Sequence, residues 1–187
     1  MIRIAIFASG AGTNAKNIIH YFQNNTDVHI ALIAGNNPSS GVVQVAHIED
    51  IPFLLLEKNQ FKEDGYSSEL KDYKIDHLVL AGFLWKIPSI LIQQYPRKII
   101  NIHPALLPKY GGKGMYGMAV HEAVIAANEK ESGISIHIVD EIYDHGEIIF
   151  QARCNIEPTD TPGTLAKKIH HLEYQYYPAV IQKFISM

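Results

Sequence analysis

Hydrophobic residues fall in short runs set between longer amphipathic stretches. Ile2 to Ala8, Val28 to Ala34, Pro52 to Leu56, His77 to Ala81 and Ile99 to Ile102 are apolar runs bounded by charged or turn-forming residues. Such runs read as strands buried on both faces. Helical spacing lies between them. Ile18, Ile19 and Phe22 form one apolar face over Ala15 to Phe22, and helices are also expected over Gly41 to Ile48, Asp64 to Tyr73 and Ser89 to Gln94, the last opened by Pro88. Strands alternating with helices predict an α/β fold with a doubly wound, mostly parallel sheet and flanking helices. Further on, a helix is expected over Ala119 to Asn128, and Gly133 to Val139 sets Ile134, Ile136 and Ile138 against Ser135, His137 and Val139, the pattern of a half-exposed strand. A short turn separates it from Ile148 to Ile156, so that pair should run antiparallel and form an antiparallel edge. Thr161 can cap the last helix with Pro162 at its first position. Leu165, Ile169, Leu172 and Tyr176 give its apolar stripe, with His170, Glu173 and Tyr177 on a different face, and Pro178 should end or kink it before Val180 to Ile185. No linker or repeat interrupts 1–187, so one domain is expected.

Composition narrows the function classes. A net charge of −3 offers no broad attraction to nucleic acid, so any anion site must be local. The single Cys154 leaves no intramolecular disulfide and fits a reducing compartment. Met1 leads into a strand-like run with no secretory pattern, and no stretch reaches the about 18 apolar residues of a membrane span. A soluble cytoplasmic protein without a membrane partner, monomer or homodimer, is expected.

Two stretches carry candidate chemistry. Gly10, Ala11, Gly12, Thr13 and Asn14 lie between the first strand and first helix, where glycines let a ligand approach the backbone and free N–H groups favour phosphate. Thr13 and Asn14 can also simply cap the helix. Gly10-x-Gly12-x-x-Ala15 also matches a loose dinucleotide fingerprint, which would make the chain a redox or nucleotide-binding module. However, the second strand ends Gly35-Asn36-Asn37-Pro38, with no carboxylate for an adenosine ribose. The other stretch is Asn101-Ile102-His103-Pro104. Pro104 keeps His103 extended, and period-2 geometry then turns Asn101 and His103 to one side of a strand end. An amide donor and an imidazole aimed together suit an oxyanion and a proton; capping a turn is the bland alternative. Asp144-x-Gly146 likewise reads as ordinary turn chemistry or as a placed carboxylate.

In combination these segments resemble the folate-dependent formyltransferases. Ser9-Gly10-x-Gly12-Thr13-Asn14 resembles the family's phosphate loop, Leu80-Ala81-Gly82-Phe83 its folate-pocket strand end, and Asn101-x-His103-Pro104-x-Leu106-Leu107-Pro108 its catalytic strand end. Gly133-x-Ser135-x-His137, Asp144-x-Gly146 and Glu173 with Tyr177-Pro178 resemble later site segments, so the likeness spans about 1–180. It implies a Rossmann-like formyltransferase fold, with a phosphate-binding half of about 1–100 and a folate and catalytic half of about 80–187. It implies 10-formyltetrahydrofolate as co-substrate and the amine of glycinamide ribonucleotide as acceptor, a step of purine synthesis needing no metal. Asn101, His103 and Asp144 would be catalytic, with Asp144 raising the His103 pKa and His137 in support. Gly10 to Asn14 would hold the substrate phosphate, and Glu173 and His170 the ribonucleotide. Phe83, Leu84, Trp85, Lys86, Ile87, Asp140 and Tyr143 would contact the folate.

Departures from the family pattern are local. Trp85, followed by Lys86, stands where an Arg is common, and the Gly- and Lys-rich loop between Tyr110 and His121 is longer than usual, as a lid would be. No Arg near 61–65 is placed for the phosphate, which leaves Lys62 as the substitute. Relatives that formylate tRNA carry an added RNA-binding domain, and hydrolytic relatives an added N-terminal one. Neither is expected here.

Overall fold

The computed structural model describes residues 1–186. In chain order it forms β1 (Ile2–Phe7), α1 (Thr13–Phe22), β2 (Val28–Gly35), α2 (Gly41–Ile48), β3 (Phe53–Leu55), α3 (Lys58–Glu63) and α4 (Ser67–Asp72). There follow β4 (His77–Leu80), α5 (Ser89–Gln94), β5 (Ile99–His103), α6 (Met118–Ala126), β6 (Glu131–Ile138), β7 (Ile148–Asn155) and α7 (Pro162–Ile185). The seven-stranded sheet has the order β3-β2-β1-β4-β5-β6-β7. β1 pairs parallel with β2 and β4, β2 pairs parallel with β3, and β6–β7 is the antiparallel edge that the short turn demanded. Among the described residues, no helix is long and apolar enough to cross a membrane.

The chain divides into two compact units, one of 1–100 with 181–187 and one of 101–180. In the first, Ile4, Ala5, Ile6 and Phe7 of β1 and Leu32, Ile33 and Ala34 of β2 are fully buried, as continuous apolar runs in a parallel sheet should be. In the second, Ile134, Ile136, Val120, Leu165 and Ile169 form the core.

Four expectations are corrected. The helix expected over 64–73 is confined to α4, and a separate α3 precedes it, the two parted at Gly65 and Tyr66, whose backbones are both left-handed (φ 63° and 56°). A Cβ on Gly65 would stand 2.6 Å from Leu91 Cγ, and Asp64 Oδ1 accepts the Tyr66 N–H at 2.7 Å, so close packing and an Asx turn end the first helix. β6 is not half exposed; Ser132 to Ile138 are all buried because Ser135 and His137 turn inward onto polar partners. The inward face of α7 also differs from the predicted stripe. Leu165, Ile169, Glu173 and Tyr177, spaced by four, are buried, whereas Leu172 and Tyr176 are half-buried. A carboxylate and a phenol on that face disguised it. The helix also runs through Pro178 to Ile185, while Thr161 caps it as expected, accepting the Thr164 N–H at 3.2 Å.

Candidate active site

In the first unit, two loops leave the ends of neighbouring strands and share one residue. The Ser9 N–H donates to the Gly82 carbonyl (3.1 Å), and Ser9 Oγ accepts the Leu84 N–H (3.0 Å). Gly12 caps α1 with a left-handed backbone (φ 76°), and no capping side chain bonds the first turn, so neither Thr13 nor Asn14 is the cap. A Cβ at Gly12 would lie 2.8 Å from Val42 Cα, whereas nothing lies within 4 Å of one at Gly10. Close packing therefore demands glycine at position 12 and not at position 10. Gly10, Ala11 and Thr13 are exposed.

After β4 the chain alternates. Phe83 and Trp85 enter an aromatic cluster with Phe7 and Phe61, with ring centroids at 5.3 Å for Phe7–Phe83 and 5.8 Å for Phe61–Trp85. Leu84 and Lys86 face solvent, while Ile87 is buried in the core and is not open to a ligand. Lys62 lies exposed on α3.

In the second unit, the strand ends bring four polar side chains together. Asn101 and His103 point to the same side of β5, and both meet Asp144. Asn101 Nδ2 donates to Asp144 Oδ1 (3.5 Å), and His103 Nδ1 stands 3.5 Å from Asp144 Oδ2. His137 is buried rather than on the surface. Its Nδ1 donates to the Ile138 carbonyl (3.0 Å), which leaves Nε2 to accept from Asn101 Nδ2 (3.0 Å). The Gly112 N–H donates to Asp144 Oδ2 at 2.9 Å.

The Asp144 backbone is left-handed (φ 53°), and Gly146 two residues on packs against the Ile138 carbonyl, so the turn that aims the carboxylate is tightly held. Burial pushes the Asp144 carboxyl up, but the pulls of His103 and the Gly112 N–H outweigh it and hold it below its ordinary value. It is an anion at neutral pH. Burial lowers the His103 imidazole, with Asp144 and the Tyr110 carbonyl pulling it only partly back. Asp144 thus acts on His103 in the expected direction but does not win. The cluster presents an amide donor, an imidazole nitrogen and a fixed carboxylate, the parts that stabilise an oxyanion and move a proton.

The flanking loop places the remaining candidates. Asp140 accepts from the Ile142 N–H (2.8 Å) and pairs with His145 (3.0 Å), while Tyr143 is exposed. On α7, Glu173 is buried with His170 exposed 4.0 Å away, and burial followed by the Glu173 charge raises the Tyr177 phenol well above its ordinary value.

A family model described as formyl transferase matches residues 2–181. This chain belongs to the formyl transferase family. The chloroplastic phosphoribosylglycinamide formyltransferase of Arabidopsis thaliana is 40% identical over 187 residues, covering 96% of this chain and 64% of the relative. The chain therefore spans less than two thirds of that plant protein. The phosphoribosylglycinamide formyltransferase of Bacillus subtilis (strain 168) is 34% identical over 193 residues, covering 100% of this chain and 96% of that protein. The crystal structure of phosphoribosylglycinamide formyltransferase from Bacillus halodurans superposes with a TM-score of 0.89 at 37% identity, covering 98% of this chain and 95% of the other. The glycine turn is thus part of a formyl transferase, and the redox-module reading is set aside.

In this formyl transferase Gln151 escaped the sequence reading, and Ser135 was marked only as part of the segment Gly133-x-Ser135-x-His137. Ser135 Oγ accepts the Leu107 N–H (2.9 Å) and donates to the Ala105 carbonyl (2.7 Å), and Gln151 Nε2 reaches both Ser135 Oγ (2.7 Å) and the Leu107 carbonyl (3.1 Å). Together they fix the turn after His103. The signal for Ser135 was its place in that segment, on the strand face it shares with His137; Gln151 had none.

His121, which by sequence could equally have stood on the surface of its helix, is instead inside. It is buried, Nδ1 has no partner, and burial, His170 and His103 lower its pKa to about 4. An ordinary solvated histidine titrates at 6.5, so between these pH values the unfolded chain binds more protons. Stability contributed by neutral His121 is complete above that window and lost as pH falls through it. His121→Leu should therefore flatten, though not abolish, the loss of urea stability between about pH 7 and about pH 5. An equal slope in wild type and variant would exclude His121 as a contributor.

Proposed function

We propose that this chain transfers the formyl group of 10-formyltetrahydrofolate to the primary amine of glycinamide ribonucleotide. The observation that carries this is the convergence of Asn101, His103 and Asp144 on one strand end, and the full-length relatives named for that activity support it. As the amine nitrogen bonds to the formyl carbon, the Asn101 Nδ2–H that makes the long 3.5 Å contact to Asp144 turns to the oxyanion and stabilises it, while the other N–H stays on His137. His103 Nδ1 takes the proton the amine loses, and the resulting imidazolium is stabilised by Asp144. That proton then passes to folate N10 as the C–N10 bond breaks, leaving the N-formyl ribonucleotide and tetrahydrofolate. His137 supports the site by holding the Asn101 amide.

Gly10 to Asn14 are assigned to the substrate phosphate and Glu173 and His170 to the ribonucleotide. Leu84 and Trp85, with Asp140 and Tyr143, are assigned to the folate. Phosphate binding falls in about 1–100, and folate binding and catalysis in about 80–187. The free Cys154 supports a reducing, cytoplasmic setting.

The reading is tested by assaying formyl transfer from 10-formyl-5,8-dideazafolate to glycinamide ribonucleotide; a purified, folded chain with no transfer would refute it. Gly12→Val sharpens the phosphate assignment. Its Cβ meets Val42 and its backbone is left-handed, so the loop must shift. KM for the ribonucleotide should rise by about tenfold or more, while KM for the folate changes little. Equal rises in both would remove the phosphate from this loop.

A further inference from the structure

The residue that His103 leans on is itself in an unusual state. His103 Nε2 lies 2.7 Å from the Tyr110 carbonyl oxygen. A carbonyl only accepts, so Nε2 carries a proton, and Nδ1 is the nitrogen left to titrate. Tyr110 offers that carbonyl from a left-handed backbone (φ 56°), which a bulky non-glycine residue adopts only when its surroundings impose it. The other end of the side chain is held as well. Tyr110 Oη donates to Glu129 Oε1 at 2.9 Å, and the same oxygen accepts Lys109 Nζ at 2.8 Å. Glu129 stands just past the end of α6, its N–H bonded back to the Val124 carbonyl (3.5 Å). The carboxylate is thus tethered to a helix end and not to a free loop.

Resting on the formyl-transfer reading, we propose that Tyr110 and Glu129 are positioning residues for His103. Glu129 holds the phenol, the held ring keeps Tyr110 left-handed, and the Tyr110 carbonyl then fixes the imidazole with Nε2–H turned away and Nδ1 turned to Asp144. Without the carbonyl, the proton of neutral His103 would settle on Nδ1 against Asp144, and the nitrogen needed as acceptor would be blocked. The groups bearing on His103 are Asp144, His137 of β6 and His121 of α6; of these only Asp144 is anionic. The Tyr110 carbonyl is the second group favouring the charged imidazole.

Tyr110→Phe and Glu129→Gln each remove one side of the clamp while keeping shape. In 15N-histidine-labelled protein, with His103→Asn used to assign the signal, wild type should show His103 protonated at Nε2. Both variants should show a share of the Nδ1–H form and a lower titration midpoint, because a group favouring imidazolium is loosened. kcat should fall by about three- to tenfold, its acidic limb moving to lower pH with the midpoint, while KM for both substrates holds. Unmoved His103 signals in both variants overturn the proposal, and so does a fall in kcat with those signals unmoved. If the wild-type chain transfers no formyl group, the functional reading fails while the nitrogen shifts still decide the tautomer.

Discussion

Asp144→Asn should lower kcat by about 10²-fold or more, the scale usual for groups that handle protons. The amide keeps the shape of the side chain and can still accept the Gly112 N–H that Asp144 Oδ2 now takes at 2.9 Å. It loses the charge that faces His103 Nδ1 at 3.5 Å and stabilises the imidazolium. It also confronts Asn101 Nδ2 with a group that can donate as well as accept, so the Asn101 amide has less reason to stay in place. KM for the ribonucleotide should change little, because its phosphate is assigned to the Gly12 loop. Without the anion facing it, the His103 imidazole titrates lower still, so the acidic limb of the kcat profile should move to lower pH. A variant within a few-fold of wild type, with an unchanged profile, would reduce Asp144 to a turn former.

Gly146→Ala should combine a stability loss with a catalytic one. An added Cβ would overlap the Ile138 carbonyl oxygen at 1.8 Å and approach the Asp140 N at 3.4 Å. Both contacts are backbone, so no side chain can swing aside, and the 140–146 turn must move. Overpacking of this kind costs about 1–3 kcal/mol, measurable as a lower urea midpoint. Asp144 rides on the same turn, and displacing a catalytic group by about 1 Å can cost on the order of 10²-fold in rate. The expected signature is a fall in kcat larger than the stability loss explains, in protein that is still folded under assay conditions. Full kcat in a destabilised variant would show that the turn and the carboxylate move independently.

Much of the fold was legible because its strands are uninterrupted apolar runs, which leave little choice of register or face. Asn101 and His103 were legible for a local reason, since two residues at period 2 before a proline must point together. His137 and Glu173 were harder. Both are polar residues on buried faces, and polarity alone reads as exposure; what buries them is a partner 36 residues away in one case, and the turn of a helix toward its core in the other. The break at Gly65 was missed because it depends on Leu91, which sequence proximity does not reveal. The direction of the Asp144 effect on His103 was legible, but the net position of its pKa was not, for a related reason. A neighbouring carboxylate can be inferred from a motif, but the depth of burial that outweighs it cannot.

Ser9 has a consequence for the order in which ligands are felt. It joins the loop before α1 to the loop after β4 by two hydrogen bonds, one through its backbone and one through its hydroxyl. On the proposed assignment of the phosphate to one loop and the folate to the other, a ligand that draws either loop into a new position should strain or relieve the other, and by reciprocity each ligand should then alter the other's affinity by the same factor. Ser9→Ala cuts only the hydroxyl half of the link. Binding isotherms for the folate analogue, measured with and without the ribonucleotide, should differ in wild type and draw together in the variant; isotherms already identical in wild type would mean that the two loops respond separately.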